Sequence, residues 1–133
     1  MQQSLLILLA EDDALIAMTL QDALEEASFA VHLVSNAEEA IRALERRHTE
    51  LSGVITDINF GRELDGWAIG QRARELVPQF PVVYISGDSA HEHTAKGVPE
   101  SIMLQKPFAA AQMVTGLSTL LNAMPLPPPE QPS

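Results

Sequence analysis

The stretch Gly53-Val54-Ile55-Thr56-Asp57 decides the fold: an apolar run of strand length that stops on a carboxylate. Three more runs end on chemistry in the same way. Leu5-Leu6-Ile7-Leu8-Leu9-Ala10 runs into Glu11-Asp12-Asp13, Val82-Val83-Tyr84-Ile85 into Ser86, and Ile102-Met103-Leu104-Gln105 into Lys106-Pro107. Four strand ends therefore offer acids, a hydroxyl and an amine. A fifth, shorter strand is expected over Phe29 to Val34.

Between the strands the period changes to that of helices. Ala14 to Ala27 carries Leu15, Met18, Leu20 and Leu24 at roughly helical spacing, with Asp12 or Asp13 placed to cap it. Asn36-Ala37-Glu38-Glu39 resembles a capping box that opens a helix through Arg47, with Ala40, Ile41 and Leu44 inward. A third helix is expected from Trp67 to Val77, before Pro78. A short polar one is expected around Ser89 to Lys96, and an amphipathic one from Phe108 to Asn122 carrying Met113, Leu117, Leu120 and Leu121.

Strands alternating with helices predict an α/β fold, a doubly wound parallel sheet covered on both faces by right-handed crossovers. Ligands of such sheets gather beyond the carboxyl ends of the strands, where the acids, the hydroxyl and the amine all lie. At 133 residues and 46% apolar composition the chain suits one domain, over residues 1–122. The segment 123–133, which contains Pro125-Leu126-Pro127-Pro128-Pro129, reads as a Pro-rich disordered tail or linker stump.

The charge balance excludes some functions. Eight basic against eighteen acidic residues give a net charge of -10, which repels a phosphate backbone, so no direct nucleic-acid partner is expected. No basic n-region precedes the first apolar run, and no stretch approaches a membrane span, so a cytoplasmic location off the membrane is expected. The absence of cysteine removes disulfides, thiolate metal sites and cysteine nucleophiles. His91-Glu92-His93 places two imidazoles at a spacing that does not face one site, and is expected on a solvated helix.

If Glu11, Asp12 and Asp57 converge to about 5 Å, each like-charged pair costs on the order of 3 kcal/mol at an effective dielectric of about 20. A hard divalent cation offsets that cost, and a few carboxylates with water suit Mg2+ better than a transition metal. Helix capping and solvation are the ordinary fate of any one such acid.

The ensemble is more specific. Glu11-Asp12 after the first strand, Asp57 after the third, Ser86-Gly87 after the fourth and Lys106-Pro107-Phe108 after the fifth resemble the receiver domain of bacterial two-component response regulators, over residues 4–122. The resemblance implies a flavodoxin-like (βα)5 fold with strand order 2-1-3-4-5. It implies phosphoryl transfer from a histidine kinase or histidine phosphotransfer protein onto Asp57. It further implies Mg2+ held by Glu11, Asp12, Asp57 and the backbone carbonyl of Asn59, and Lys106 paired with Asp57 and then with its phosphate. Ser86 would be the switch hydroxyl, and the Lys106-Pro107 peptide would be cis. Signalling would pass to a downstream protein through the face of the fourth helix, fifth strand and fifth helix, in a monomer or weak homodimer.

The chain also departs from that pattern. Gly61 stands in the loop after the acceptor where proline is usual, and that loop is one residue longer. Met103 occupies the position of a switch aromatic on the fifth strand, so Met103 fills that space without a ring, and Tyr84, of the same strand parity as Ser86, is a candidate substitute. Asn59 and Asp88 fall at positions that modulate dephosphorylation in the family. Two competing classes are a non-phosphorylated interaction module of the same fold and a Mg2+-dependent phosphohydrolase with an Asp nucleophile. The first strand lacks the Asp-x-Asp pair of haloacid-dehalogenase hydrolases, and it lacks the phosphate loop of a flavodoxin.

Overall fold

In a computed structural model the described residues are 4–60, 64–88 and 90–123. Five strands, β1 (Leu6–Ala10), β2 (Ala30–Val34), β3 (Leu51–Asp57), β4 (Val82–Ser86) and β5 (Ile102–Gln105), alternate with helices α1 (Ala14–Glu26), α2 (Ala37–Arg47), α3 (Gly66–Leu76), α4 (His93–Lys96) and α5 (Ala110–Ala123). All pairings are parallel and the order is β2-β1-β3-β4-β5, as the resemblance implies. The Gly61 departure and the Pro-rich segment from Met124 onward lie outside the described residues.

The two sheet faces divide the core by strand parity. Leu8, Ala10, Val54, Val82 and Tyr84 pack under α2 and α3 with Leu44, Trp67 and Ile69. Ile7, Leu9, Ile55, Val83 and Ile85 pack under α1 and α5 with Leu20, Leu24, Met113 and Leu117. Burial on both faces is why these strands read as unbroken apolar runs.

Caps fix where the helices begin. Asp13 Oδ1 accepts from the N–H groups of Leu15 and Ile16, both at 3.0 Å, and Asn36 Oδ1 accepts from Glu39 N–H at 2.8 Å. Asn36 Nδ2 donates back to Glu39 Oε1 at 3.2 Å, so the expected capping box is reciprocal but built from side-chain amide and carboxylate. Asp65 caps α3 through Ala68 N–H, which starts that helix one residue earlier than expected.

One expected face is wrong. Leu15 and Met18 are 74% and 60% exposed, and Ala17 joins Leu20 and Leu24 in the buried stripe. At 100° per residue, Leu15 stands opposite Leu24, so the apolar residues of α1 occupy two faces. The fourth helix is short, one 3-10 turn at Ala90–Glu92 and the single turn of α4. α5 begins two residues later than expected, and Phe108 packs before it against the α1–α5 core.

Two glycines permit close approaches near the centre. A Cβ on Gly66 would overlap the Asp57 carbonyl oxygen, and one on Gly70 would overlap the Tyr84 hydroxyl. Tyr84 is fully buried, and its Oη accepts Val98 N–H at 3.1 Å. Arg74 ties the same region together, donating to the carbonyls of Phe80, Pro99 and Glu100.

The Gly70 notch yields a test. Gly70→Ala is expected to destabilise the fold by about 1–3 kcal/mol through overpacking, and Tyr84→Phe by about 1–3 kcal/mol through the orphaned Val98 N–H. Urea unfolding of both singles and the double variant should show a double-variant loss smaller than the sum, because the phenyl ring lacks the hydroxyl that the added methyl would strike. Strict additivity would contradict the notch.

Candidate functional site

The carboxyl ends of β1, β3 and β4 bring the predicted residues to one rim. Glu11 follows β1 and is 3% exposed, Asp57 closes β3 at 6%, and Ser86 closes β4 at 1%. Asp12 beside Glu11 is exposed. One carboxylate oxygen from each of Glu11, Asp12 and Asp57 lies within 4.8 Å of the other two.

Lys106 reaches this cluster from just beyond β5. Its Nζ lies 3.2 Å from Asp57 Oδ2 and 3.6 Å from Glu11 Oε1. The Lys106-Pro107 peptide is cis. The other Asp57 oxygen, Oδ1, accepts Asn59 N–H at 3.2 Å, so both oxygens of this carboxylate are oriented. Ser86 Oγ accepts Asp88 N–H at 3.2 Å, and Asn59 Nδ2 reaches Asp88 Oδ1 at 3.5 Å, which joins the loops after β3 and β4.

The electrostatics are strained in one direction. Burial first, and then the neighbouring Asp57 carboxylate, push Glu11 up from 4.5 to about 7, against the pull of Lys106 and the Asp13 N–H. Partial burial disfavours the Lys106 ammonium, but the charges of Asp57 and Glu11 outweigh it and hold its pKa above the ordinary value. One ammonium cannot neutralise three carboxylates. At a separation of about 5 Å each like pair still costs on the order of 3 kcal/mol in a medium of effective dielectric about 20.

The donor set fits a hard divalent cation. Glu11 Oε1 is buried without a hydrogen-bond partner among the described residues and faces Lys106 Nζ only at 3.6 Å, and such an atom is costly unless something binds it more closely. Oxygen donors alone, two of them buried and one open to water, suit Mg2+ with part of its hydration shell retained.

Met103 is not brought to the carboxylates. It pairs in register with Tyr84 and packs against the α2–α3 side of the core. The sequence reading missed His93, which was expected to be solvated. Its ring stacks on Trp67 with centroids 6.4 Å apart, meets Tyr84 edge-on at 5.8 Å, and its Nε2 is 2.8 Å from Ser101 Oγ. Trp67 itself is 4% exposed and lies 4.7 Å from the Tyr84 ring, so an aromatic trio joins the start of α3 to α4. No local pattern announces the trio, because its members come from three separate elements.

A model of the response regulator receiver domain matches residues 7–118. The curated receiver protein CpdR of Brucella abortus is 31% identical over 119 residues, covering 88% of this chain and 97% of that protein. The crystal structure of a response regulator receiver protein from Sinorhizobium medicae is 44% identical with a TM-score of 0.88, covering 91% of this chain and 97% of the other. The receiver domain of a sensor histidine kinase from Pseudomonas aeruginosa, solved with magnesium coordinated in its active-site cleft, shares the fold at 20% identity and a TM-score of 0.77, over 90% and 99% of the two chains.

The shifted Glu11 carries a pH prediction for the protein without metal. The native state holds this proton more tightly than the unfolded chain, so the associated stability is complete below pH 4.5 and is lost as pH rises through about 7. Urea unfolding in chelator should therefore show stability falling between about pH 4.5 and 7 and levelling off above that. Glu11→Gln should flatten that slope; an unchanged slope would assign it to other groups.

Proposed function

Because the chain belongs to the response regulator receiver domain family of two-component signalling, we propose that Asp57 is the phosphoacceptor of a phosphorelay, taking a phosphoryl group from phosphohistidine and signalling by protein contact. The observation that carries this reading is the placement of Asp57: a nearly buried carboxylate held at one oxygen by the Asn59 N–H and at the other by Lys106 Nζ.

The proposed chemistry follows from those contacts. An Asp57 oxygen attacks the phosphorus in line, the P–N bond breaks, and its electron pair leaves with the imidazole, which takes up a proton. Orientation at both oxygens reduces the cost of reaching the attacking geometry. Lys106, displaced from the carboxylate it paired with, donates to a phosphoryl oxygen as a point charge. Ser86, at the end of the neighbouring strand, turns its hydroxyl to the same group. Glu11, Asp12, Asp57 and the Asn59 carbonyl are the residues that would hold Mg2+, and the bound ion would neutralise the acids and the incoming phosphoryl oxygens. Asn59 and Asp88, which are bonded to each other, are proposed to set the access of a hydrolytic water.

A histidine kinase or histidine phosphotransfer protein is the proposed donor, and a downstream protein is proposed to read the face of α4, β5 and α5. Met103 on β5 is the proposed switch position on that side, where a flexible thioether takes the place of a ring. The protein is proposed to act in the cytoplasm; no helix among the described residues is long and apolar enough to cross a membrane.

Incubation with acetyl phosphate and Mg2+, followed by intact mass, is expected to show a gain of one phosphoryl group in the wild type and none in Asp57→Ala or in chelator. Lys106→Ala should slow the reaction by roughly a hundredfold or more. No gain from acetyl phosphate or from active cognate kinases would favour the non-phosphorylated interaction module instead. Mg2+ affinity measured by Trp67 fluorescence or calorimetry should rise between about pH 6 and 8 as Glu11 gives up its proton, and Glu11→Gln should weaken both affinity and slope.

A further inference from the structure

β2 is an edge strand, and it lacks the devices that ordinarily protect one. Its sequence, Ala30-Val31-His32-Leu33-Val34, holds no lysine, acid or proline. Ala30 N–H bonds to the Leu5 carbonyl and the Val34 carbonyl accepts Glu11 N–H, so the even-numbered residues of β2 turn their backbone groups toward β1. By the alternation of a parallel ladder, Val31 and Leu33 turn theirs outward. Among the described strands none lies on that side of β2 to pair with them.

The two flanks of this open edge differ in chemistry. On the α2 side a groove is lined by His32, Val34, Arg42, Ala43, Arg46 and Arg47, with Glu39 as its one acid. Three of the eight cationic residues of a chain with net charge -10 thus stand beside one strand. Arg47 is engaged, donating to Glu50 and to His32 Nδ1. Arg42 and Arg46 have no hydrogen bond or ion pair recorded among the described residues, although acids outnumber bases more than two to one. Complementing the helix dipole accounts for Arg46 and Arg47 in the last turn of α2 but not for Arg42 in its middle. On the α1 side the same edge shows Leu33 at 42% exposure in a groove shared with Met18, which runs on to Glu11, Asp12 and Glu39.

We propose that the β2 edge is a docking site for an extended segment of a partner protein that alternates carboxylate and apolar side chains. Added as a sixth strand, such a segment pairs its backbone with Val31 and Leu33. Its side chains of one parity fall into the guanidinium groove, and those of the other parity fall beside Leu33 and Met18. Arginine favours this arrangement because its planar fork matches carboxylate geometry. The proposal goes beyond phosphoryl transfer, although its α1-side groove borders Glu11 and Asp12 of the rim.

The test titrates 15N-labelled protein with a capped octapeptide of alternating valine and glutamate, followed by amide shifts and hydrogen exchange. The expected result is shift changes confined to β2, α2 and the Met18 face of α1, with slowed exchange at the Val31 and Leu33 amides. Arg42→Glu combined with Arg46→Glu, on the solvent face of α2, should weaken binding by about tenfold or more while the apo spectrum stays folded. A valine–lysine octapeptide should not bind. Perturbations elsewhere, equal binding of the lysine peptide, or binding without protection of Val31 and Leu33 would overturn the proposal. Tighter binding of a single-stranded oligonucleotide at the arginines, or reversible dimerisation through β2 seen by sedimentation, would overturn it in favour of a nucleic acid or a second copy.

Discussion

The arrangement depends on a repulsion that the fold does not relieve by itself. Parallel strands all end on the same rim, so carboxylates placed at the ends of β1 and β3 are forced together by backbone geometry, whatever their mutual charge. Lys106, delivered from the end of β5, answers part of that charge, and the proton that Glu11 retains to about pH 7 answers another part. Removing Lys106 would leave buried acids with no local counter-charge, a situation more costly than the loss of one exposed ion pair. The site is therefore held in a state that any cation or cationic ligand of suitable size stabilises. Such a site responds to what binds it.

Contacts run from the rim into the rest of the molecule. The Asn59–Asp88 contact links the loops after β3 and β4, and Gly66 N–H bonds to the Ile58 carbonyl, so the start of α3 is fastened to the residue that follows Asp57. Trp67 comes next in the chain and lies against Tyr84 and His93. Tyr84 is held in place. It is fully buried, seated against Gly70 and bonded to Val98 N–H. His93 is half-buried on a single-turn helix, and Met103, an unbranched thioether, lies beside Tyr84.

Legibility in the sequence followed the physics of each feature. The strands were readable because burial on both faces demands unbroken apolar runs, and the site residues because each is attached to the end of such a run. Asp13, Asn36 and Asp65 cap helices through contacts only two or three residues long, and the first two could be expected from local spacing. The face of α1 was misread because Leu15 and Met18 satisfy an apolar count while lying off the stripe defined by Leu20 and Leu24. His93 was misread because a polar helix in isolation predicts solvation, and its partners Trp67, Tyr84 and Ser101 are remote in sequence.

The same distinction separates the rim from the β2 edge. At the rim, the candidate site is built from residue types that are costly at a buried position, so each buried acid raises a question as soon as the strand is recognised. At the edge, every residue is ordinary for its place: valine and leucine in a strand, arginine on a helix. Only the topology, which leaves β2 with one neighbour, and the packing, which gathers Arg42, Arg46 and Arg47 beside it, turn ordinary residues into a surface with two chemistries on either side of open backbone groups. A binding face of that kind is invisible to composition, since the net charge of -10 points the other way. It follows from where a minority of positive charge is spent against the average of the chain.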